Sequence, residues 1–191
     1  MRSILPFDEL NKFSSCLRQR YPSGKLLPPK DSKEQDDYED TLDEMLDLFL
    51  LSYTTANSLI NEGLMSDWKA ELDEVMETVD KKVAGKTWRE RVSEYFENGG
   101  SVEDLTRIAE TETHRIANES ALRTAVKAGA TTKQWLTMLD DKVRDTHSPL
   151  EGQTIPIDAE FYTWDGDKAQ APGLFEYPEN NVNCRCELRF K

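Results

Sequence analysis

Apolar residues recur every three or four positions over most of residues 38–128, which is the spacing of amphipathic helices that bury one face. The first predicted helix spans 38–61. Thr41 and Glu44 have the spacing of a capping box near its start, and Asn61-Glu62-Gly63 provides a stop. The apolar stripe of this helix is most simply explained as part of a helical core.

Three further helices are predicted from the same pattern, at 64–83, 88–96 and 101–128, and each is followed by a glycine-containing turn. Ser101 is placed to cap the last of them. This helix interrupts its own apolar stripe with Glu112. Because an acid on an inner helix face needs a partner, Glu112 indicates an ion pair or a functional contact.

Residues 1–37 are predicted to form an N-terminal arm or linker. Pro22, Pro28 and Pro29 interrupt an initial apolar pattern of roughly helical spacing. Residues 23–37 are polar and proline-rich, which is typical of a linker or of an arm that wraps a neighbouring subunit. The initial apolar pattern, before these prolines, consists of Ile4, Leu5, Phe7, Leu10, Phe13 and Leu17.

Beyond residue 128 the helical period gives way to short extended segments, predicted at 134–138, 154–157 and 160–164, with prolines and glycines between them. Helices followed by a small region of mixed strands and loops make an α+β fold. We therefore divide the chain into the N-terminal arm (1–37), an acidic helical region (38–100) and a C-terminal domain (101–191).

The last predicted strand closes the small sheet of the C-terminal domain. Its side chains alternate between two faces, as they do in any strand. The thiols of Cys184 and Cys186 share one face, where they form a disulfide only with distortion but are well placed to bind one metal ion or to pack in a core. The residues predicted on that face are Cys184, Cys186, Leu188 and Phe190, and those on the other are Arg185, Glu187 and Arg189.

The negative charge of the chain is concentrated in its acidic helical region. The formal net charge is −13, and residues 31–80 contain 16 acids and 2 lysines (2 − 16 = −14), so the remaining residues sum to +1. Direct DNA binding through these helices is not expected, because neutralising phosphates requires clustered Lys and Arg. A basic protein surface is the expected partner.

Composition also bears on the compartment. The sequence has no run of 18 apolar residues, so no membrane-spanning segment is expected, and its start lacks the apolar core of a secretory signal. Three cysteines, an odd number, do not form a disulfide framework. A reducing compartment is therefore expected, with Cys16 as a lone thiol that is either buried or incidental.

The sharpest candidate for chemistry is His147 with Cys184 and Cys186, since imidazole and thiolates are zinc ligands. A fourth ligand would come from Asp140, Asp145, His114 or water. The alternative, and the simpler interpretation from spacing alone, is that the cysteines pack in the sheet while His147 hydrogen-bonds a carboxylate.

Other chemistry has weaker support in the sequence. A Cys–His nucleophilic pair is conceivable, but no oxyanion hole is marked and neither candidate cysteine begins a helix. Phosphate-binding glycine loops and the His-Glu-x-x-His and Gly-x-Ser-x-Gly motifs do not occur. A structural alternative uses Asp140, Arg144 and His147, as an Asp–Arg pair with an adjacent imidazole that holds a loop onto the sheet.

These residues resemble the phage Mu F-like head morphogenesis (minor capsid) family. The resemblance covers about 105–190. Glu110, where the family often has Arg, and Lys142, where Arg is more usual, depart from the pattern. Three sequence strings carry the resemblance: Ile108-Ala-x-Thr111-Glu112-x2-Arg115-x2-Asn118, then Trp135-x4-Asp140-x-Lys142-Val143-Arg144-x2-His147-x2-Leu150-x-Gly152, then Pro178-x-Asn180-x2-Asn183-Cys184-Arg185-Cys186.

The resemblance implies a virion component at the portal vertex that acts in head assembly or DNA delivery, without a known reaction. Its expected partners are the portal protein and capsid or scaffold subunits. The expected location is the virion, in the head interior or at the portal vertex, and the host cytoplasm during assembly. Members are sometimes joined to toxin or enzyme domains, for which we expect no room here. The family signature would lie at Glu112, Trp135, Asp140, Arg144, His147, Asn183, Cys184, Arg185 and Cys186, a set that includes the candidate zinc ligands.

The sequence thus favours a structural and interaction protein that is not an enzyme and docks through its acidic helices. The main alternative is a metal-dependent hydrolase, nuclease or toxin-like enzyme that uses His147, Cys184 and Cys186. A third hypothesis, an inhibitor that mimics DNA, is disfavoured because the acids lie on the outer faces of ordinary amphipathic helices.

Overall fold

A computed structural model describes residues 6–191 of the chain and confirms the α+β fold. Helices dominate the first two thirds, and short antiparallel strands follow. The helices are α1 (Phe7–Arg20), α2 (Ser32–Leu64), α3 (Leu72–Val79), α4 (Trp88–Asn98), α5 (Val102–Lys127) and α6 (Pro178–Asn181), with a single 3-10 turn at Ser148–Leu150. The strands are β1 (Thr132–Leu136), β2 (Thr154–Pro156), β3 (Phe161–Tyr162), β4 (Lys168–Ala169) and β5 (Glu187–Phe190).

Helix α5 is the element around which the other parts pack, since α1, α2, α3, α4 and β5 all contact it. Its first half, with Leu105 and Ile116, belongs to a core shared with the other long helices. Its second half, with Ala121 and Ala125, belongs to a second core that contains Trp135 and the residues of β5. Small side chains in this second half let the strand region approach the helix closely, so α5 joins both cores.

The main sheet has three strands in the order β2-β1-β5, and both pairings are antiparallel. Trp135 of β1 lies opposite Leu188 of β5. The prediction that the last strand closes the sheet is confirmed, and so is its alternation, because the side chains at 184, 186, 188 and 190 are buried. The strand begins only at Glu187, so both cysteines lie in the extended segment before it. Strands β3 and β4 form a separate pair.

Helix α2 begins at Ser32, six residues before the predicted start at Tyr38. Asp31 caps it by accepting a hydrogen bond from the backbone N–H of Glu34 at 2.9 Å. The capping box predicted at Thr41 and Glu44 is wrong. Both side chains instead accept hydrogen bonds from Arg20 of α1, at 3.0 Å to Thr41 and 2.8 Å to Glu44, because the helix has already formed upstream of them.

The second predicted helix, 64–83, is only partly helical. Helix α2 runs through the predicted stop and ends at Leu64, with Met65 as its C-cap at a left-handed φ of 51°, and α3 starts at Leu72. The Asn61 amide donates to the carbonyl of Trp68 at 2.6 Å and holds the intervening turn. A capping box between Glu71 and Glu74 starts the new helix, so local capping interrupts the helix although the apolar spacing continues.

The other two predicted helices are confirmed. Both begin with a reciprocal capping box, Thr87 with Glu90 for α4 and Ser101 with Asp104 for α5. In the part of the chain that the structure describes, none of the helices combines the length and the apolar character needed to cross a membrane.

Much of the predicted N-terminal arm packs on the rest of the protein. Leu17 of α1 and Leu26 are fully buried. The backbone N–H of Leu26 donates to the carbonyl of Gly100 at 2.8 Å. The division of the chain at residues 37 and 100 stays a prediction, although one core draws residues from all three segments. Ile4 and Leu5 of the predicted apolar patch lie outside the described residues.

Candidate functional site

The structure brings His147, Cys184 and Cys186 together, as the sequence hypothesis required. The Nδ1 atom of His147 lies 3.6 Å from the Sγ of Cys184 and 3.5 Å from the Sγ of Cys186. The three ligand atoms all lie within 4.8 Å of one another, and all three side chains are buried. The cluster is therefore a compact group of soft donors removed from bulk water.

Aromatic packing fixes the imidazole of His147. Phe175 stacks on the ring at a centroid distance of 5.2 Å, and Trp135 meets it edge-on at 5.4 Å. The backbone of His147 closes a turn by donating to the carbonyl of Arg144 at 2.9 Å. The Nε2 atom is buried and has no hydrogen-bond partner among the described residues, so the predicted hydrogen bond from His147 to a carboxylate is wrong.

A backbone turn and hydrogen bonds from α5 fix the segment that carries the two cysteines. Asn183 adopts a left-handed φ of 57°, which turns the chain just before Cys184. The carbonyl of Cys186 accepts a hydrogen bond from the Nε2 of His114 at 2.6 Å and another from the amide of Asn118 at 3.1 Å, both from α5. His114, one of the proposed fourth ligands, is thus used to anchor the segment.

Asp140, Arg144 and Arg185 connect the loops around the cluster, but the acid pairs with a different arginine from the one predicted. Asp140 accepts two hydrogen bonds from Arg185, at 2.7 and 2.8 Å, and is not paired with Arg144. Arg144 instead donates to the carbonyls of Asn180, at 2.9 Å, and Val182. The structural hypothesis of an Asp140–Arg144 pair is therefore wrong, but both arginines still hold the loop that carries His147 against the segment that carries the cysteines.

The two neighbouring thiols differ in the direction of their pKa shifts. Hydrogen bonding from Cys186, and then from His147, holds the pKa of the Cys184 thiol well below its usual range, although burial acts in the opposite direction. The same pairing with Cys184, followed by burial, raises the pKa of Cys186. The contact between the two sulfurs therefore shifts the pKa values of the two thiols in opposite directions.

A cavity of about 20 Å³ lies beside the cluster, with room for about one water molecule. Besides the three donors, its walls include Lys142, Arg144 and Arg185, and none of the residues lining it is an acid. Cationic walls favour thiolates. The volume is far below that of a pocket for an organic substrate.

Glu112, predicted to be an inward acid with a partner, is confirmed as the centre of a buried ion-pair network. It is 2% exposed and binds both Arg91 of α4 and Arg115, the latter at 2.7 Å. Arg115 is 1% exposed and also binds Glu119 at 3.1 Å and the carbonyl of Thr78 at 2.9 Å. This network ties α5 to α3 and α4, and its charges are fully paired.

A buried carboxylate, that of Asp167, fixes the loop before Asn180 and was not predicted from the sequence. The carboxylate of Asp167 is buried and accepts hydrogen bonds from the backbone N–H groups of Lys168, Glu176 and Tyr177 and from the amide of Asn180, at 2.8 to 3.1 Å. Asp167 lies in the turn Asp165-Gly166-Asp167, where an acid is common because it favours turn formation. The sequence therefore gave no signal that this acid would be buried.

Lys133 was also missed. Its ammonium group is buried in the strand β1 with no hydrogen-bond partner among the described residues and lies 5.7 Å from the ring of Phe161. Burial lowers the pKa of Lys133 to about 8, against the opposing effect of Asp158 and Glu160. Lys133 precedes the strand predicted at 134–138, and lysine as a residue type gives no reason to expect burial.

A larger cavity, of about 490 Å³, lies between α4, α5 and the loop that contains Gly173. Two of its charged residues, Arg91 and Glu112, are already bound to each other. A third, Arg107, is bound to Asp104. Because these groups are committed to structural pairs, the cavity offers little free charge for catalysis.

Comparison with known proteins gives one family. Residues 54–189 match the family described as Phage Mu protein F like protein, so the match includes every residue of the predicted signature. No solved structure gives a significant match to the chain.

Two curated proteins are similar to part of the chain. Over 94 residues it is 34% identical to the NAD(+)--arginine ADP-ribosyltransferase EFV of Enterococcus faecalis, which covers 47% of this chain and 19% of that protein. Over 83 residues it is 32% identical to the Minor head protein GP7 of Bacillus phage SPP1, which covers 42% of this chain and 27% of that protein. The chain therefore spans about a fifth to a quarter of the length of these relatives.

Proposed function

The chain belongs to the Phage Mu protein F like family, and we propose that it is a phage minor head protein that acts in head morphogenesis or DNA delivery at the portal vertex. The observation that carries this proposal is the family match over residues 54–189, supported by the similarity to a minor head protein of another phage. The protein would act by docking on other head proteins in the virion, after assembly in the host cytoplasm.

An acidic stripe on α2 supports docking onto a basic surface. We define it as Asp36, Glu39, Asp43 and Asp47, which are exposed and recur at intervals of three or four residues along one side of the helix. Within the described part of the chain these four carboxylates form no salt bridge. A stripe of like charges without counter-charges on the same molecule favours a partner of opposite sign.

An apolar groove borders the acidic stripe. It lies between α1 and α2, has a volume of about 290 Å³, and has Phe13, Leu48 and Leu51 among its walls. Leu51 is 39% exposed. Glu44 and Asp47 line the same groove. Interfaces typically place apolar anchors inside a polar rim, so the groove and the stripe together suit a basic partner with an apolar side chain at its centre.

We infer that this partner is the portal protein or a capsid or scaffold subunit. The test is co-sedimentation of the purified chain with procapsids that contain portal, with procapsids assembled without it, and with isolated portal rings. Binding should be strongest at low salt, because exposed charges are screened within about 10 Å at 0.1 M salt. Binding to portal rings and to procapsids that contain portal, but not to portal-free procapsids, would identify the portal as the partner.

A matched pair of variants makes the test specific. Neutralising the acidic stripe, with Asp36→Asn, Glu39→Gln, Asp43→Asn and Asp47→Asn, should weaken binding at least tenfold. A control variant has the same change in net charge at exposed acids elsewhere, with Glu110→Gln, Asp141→Asn, Asp158→Asn and Glu179→Gln. Equal binding by both variants would contradict docking through α2, and no binding by the unmodified chain at low salt would contradict the proposal as a whole.

An enzymatic role is the alternative, and the similarity to an ADP-ribosyltransferase is the observation that favours it. The shared segment is less than a fifth of that protein, and the cavity beside His147 is too small for a nucleotide. An assay for hydrolysis of NAD⁺ and nucleic acid would decide. Turnover that is lost in His147→Ala and retained in Cys16→Ser would favour the enzyme over the docking protein.

A further inference from the structure

We propose that His147, Cys184 and Cys186 bind one zinc ion, which fastens the segment before β5 to the loop that carries His147. This inference concerns the fold of the chain and does not depend on the docking partner.

The separation of the donor atoms is the first argument. Zinc binds sulfur at about 2.3 Å and imidazole nitrogen at about 2.0–2.1 Å, so a tetrahedral ion holds a nitrogen and a sulfur about 3.5–3.6 Å apart. The distances from His147 Nδ1 to the two sulfurs are 3.6 and 3.5 Å. Both distances match those expected around a tetrahedral zinc ion.

The position of the imidazole nitrogen is the second argument. The Nδ1 atom of His147 is almost equally distant from both sulfurs. One nitrogen lone pair can accept a hydrogen bond from only one of the two thiols at a time. A metal ion placed between the three atoms uses the nitrogen lone pair and both thiolates at once.

The chemistry of the donors selects the ion. Two thiolates and an imidazole are soft ligands that suit zinc and are poor ligands for Mg²⁺ and Ca²⁺, which prefer oxygen. Two thiolates also neutralise a divalent cation, so the ion adds no net charge to a buried site. Lys142, Arg144 and Arg185 on the cavity wall favour the thiolate forms.

The fourth position falls to water. Of the protein ligands considered from the sequence, Asp140 is bound to Arg185, and His114 is bound to the carbonyl of Cys186. Asp145 does not belong to the cluster of mutually close donors. The adjacent cavity of about 20 Å³ has room for a single water as fourth ligand.

The surrounding structure already holds the ligands in place. Phe175 and Trp135 fix the imidazole, and hydrogen bonds from His114 and Asn118 fix the carbonyl of Cys186. The ligands are 37 and 39 residues apart in the sequence. The ion would therefore close a long loop and stabilise the folded chain, as structural zinc ions do.

The test is the metal content of the full chain, purified under reducing conditions without chelator and measured by mass spectrometry of the elements. We expect about one zinc ion per chain. Cys184→Ser, Cys186→Ser and His147→Gln should each reduce zinc to a small fraction of that. Cys16→Ser, which removes the exposed thiol, is the control and should retain it.

Measurements on the unmodified chain keep the proposal testable if those variants fail to fold. A chelator should lower the melting temperature of the unmodified chain, and added zinc should restore it. Replacement by Co²⁺ should give the intense visible bands of a tetrahedral site and a thiolate-to-cobalt charge-transfer band. Absence of both zinc and the cobalt bands would overturn the proposal. A Cys184–Cys186 disulfide that persists after purification under reducing conditions would overturn it as well. Either result leaves the co-sedimentation test of docking unaffected.

Discussion

Arg185 binds Asp140 through two parallel hydrogen bonds of 2.7 and 2.8 Å, although 45 residues separate them in the sequence. The pair lies at the surface, with the side chains 41% and 37% exposed, and Arg185 stands between the two buried cysteines in the sequence. It connects the start of the loop that carries His147 to the segment before β5. Arg144 makes a second connection between the same two parts through backbone carbonyls.

The first prediction concerns this pair and pH. The hydrogen bonds from Arg185 hold the pKa of the Asp140 carboxyl below its ordinary value. The stabilisation is therefore complete above the pKa of Asp140 in the unfolded chain and is lost as the pH falls through its lower folded pKa. In Arg185→Gln, carboxyl-carbon NMR should show the pKa of Asp140 raised toward its ordinary value, because the largest cause of its lowering is removed. An unchanged pKa in the variant would show that Arg185 does not set it.

The second prediction concerns the buried ion-pair network. Glu112→Ala removes the shared partner of Arg91 and Arg115 and leaves the buried guanidinium of Arg115 with incomplete pairing. Breaking a buried pair in this way costs about 3–5 kcal/mol. Urea unfolding measures the loss. Glu110→Ala, two residues away on the exposed side of α5, is the control and should change stability by less than about 0.5 kcal/mol. Equal losses would contradict the network's role.

The third prediction uses Lys133. Because burial lowers its pKa to about 8, the folded protein releases this proton at a lower pH than the unfolded chain does. The stability of the unmodified protein should therefore rise between about pH 8 and the usual lysine pKa of about 10.4, where the unfolded chain holds more protons. Lys133→Met should be more stable than the unmodified protein at pH 7.

The measurement for Lys133 is urea unfolding at pH 7 and pH 9.5. The advantage of Lys133→Met should shrink at the higher pH, since the native lysine is then neutral in the folded state. Lys69→Met, at an exposed lysine, should show no such change with pH. A constant difference between Lys133→Met and the unmodified protein would mean that the amine keeps its ordinary pKa.

The fourth prediction concerns Gly173. Its φ is +86°, and a Cβ atom there would lie 2.9 Å from both the Cα and the Cβ of Arg115, so α5 and the loop approach too closely for any side chain. Gly173→Ala should lose about 2–5 kcal/mol from strain and overpacking together. Gly166→Ala shares the left-handed φ, +89°, but meets open space, so it isolates the strain. Thermal unfolding of the two variants should differ clearly. A similar loss in both would show that the loop can move away from α5.

Much of the fold followed from local rules. The caps at Ser101 and Thr87 and the apolar period of α4 and α5 act within a few residues, so the sequence determined these helices. Alternation likewise determined which face of the last strand is buried. The single helix predicted over 64–83 from its continuous apolar stripe is wrong. A left-handed residue and a new capping box interrupt the helix without interrupting the apolar spacing.

For the site, the sequence by itself determined the residue types and their grouping. It singles out the soft donors His147, Cys184 and Cys186 and the inward acid Glu112, since donor chemistry and helical facing depend on residue type and spacing alone. Tertiary structure decided the pairing: Asp140 with Arg185, Glu112 with Arg91, and Asp167 beneath the loops. Those contacts join residues that are 13 to 45 positions apart in the sequence. Only the packing of the helices and loops that carry these residues selects one partner among many acids and bases.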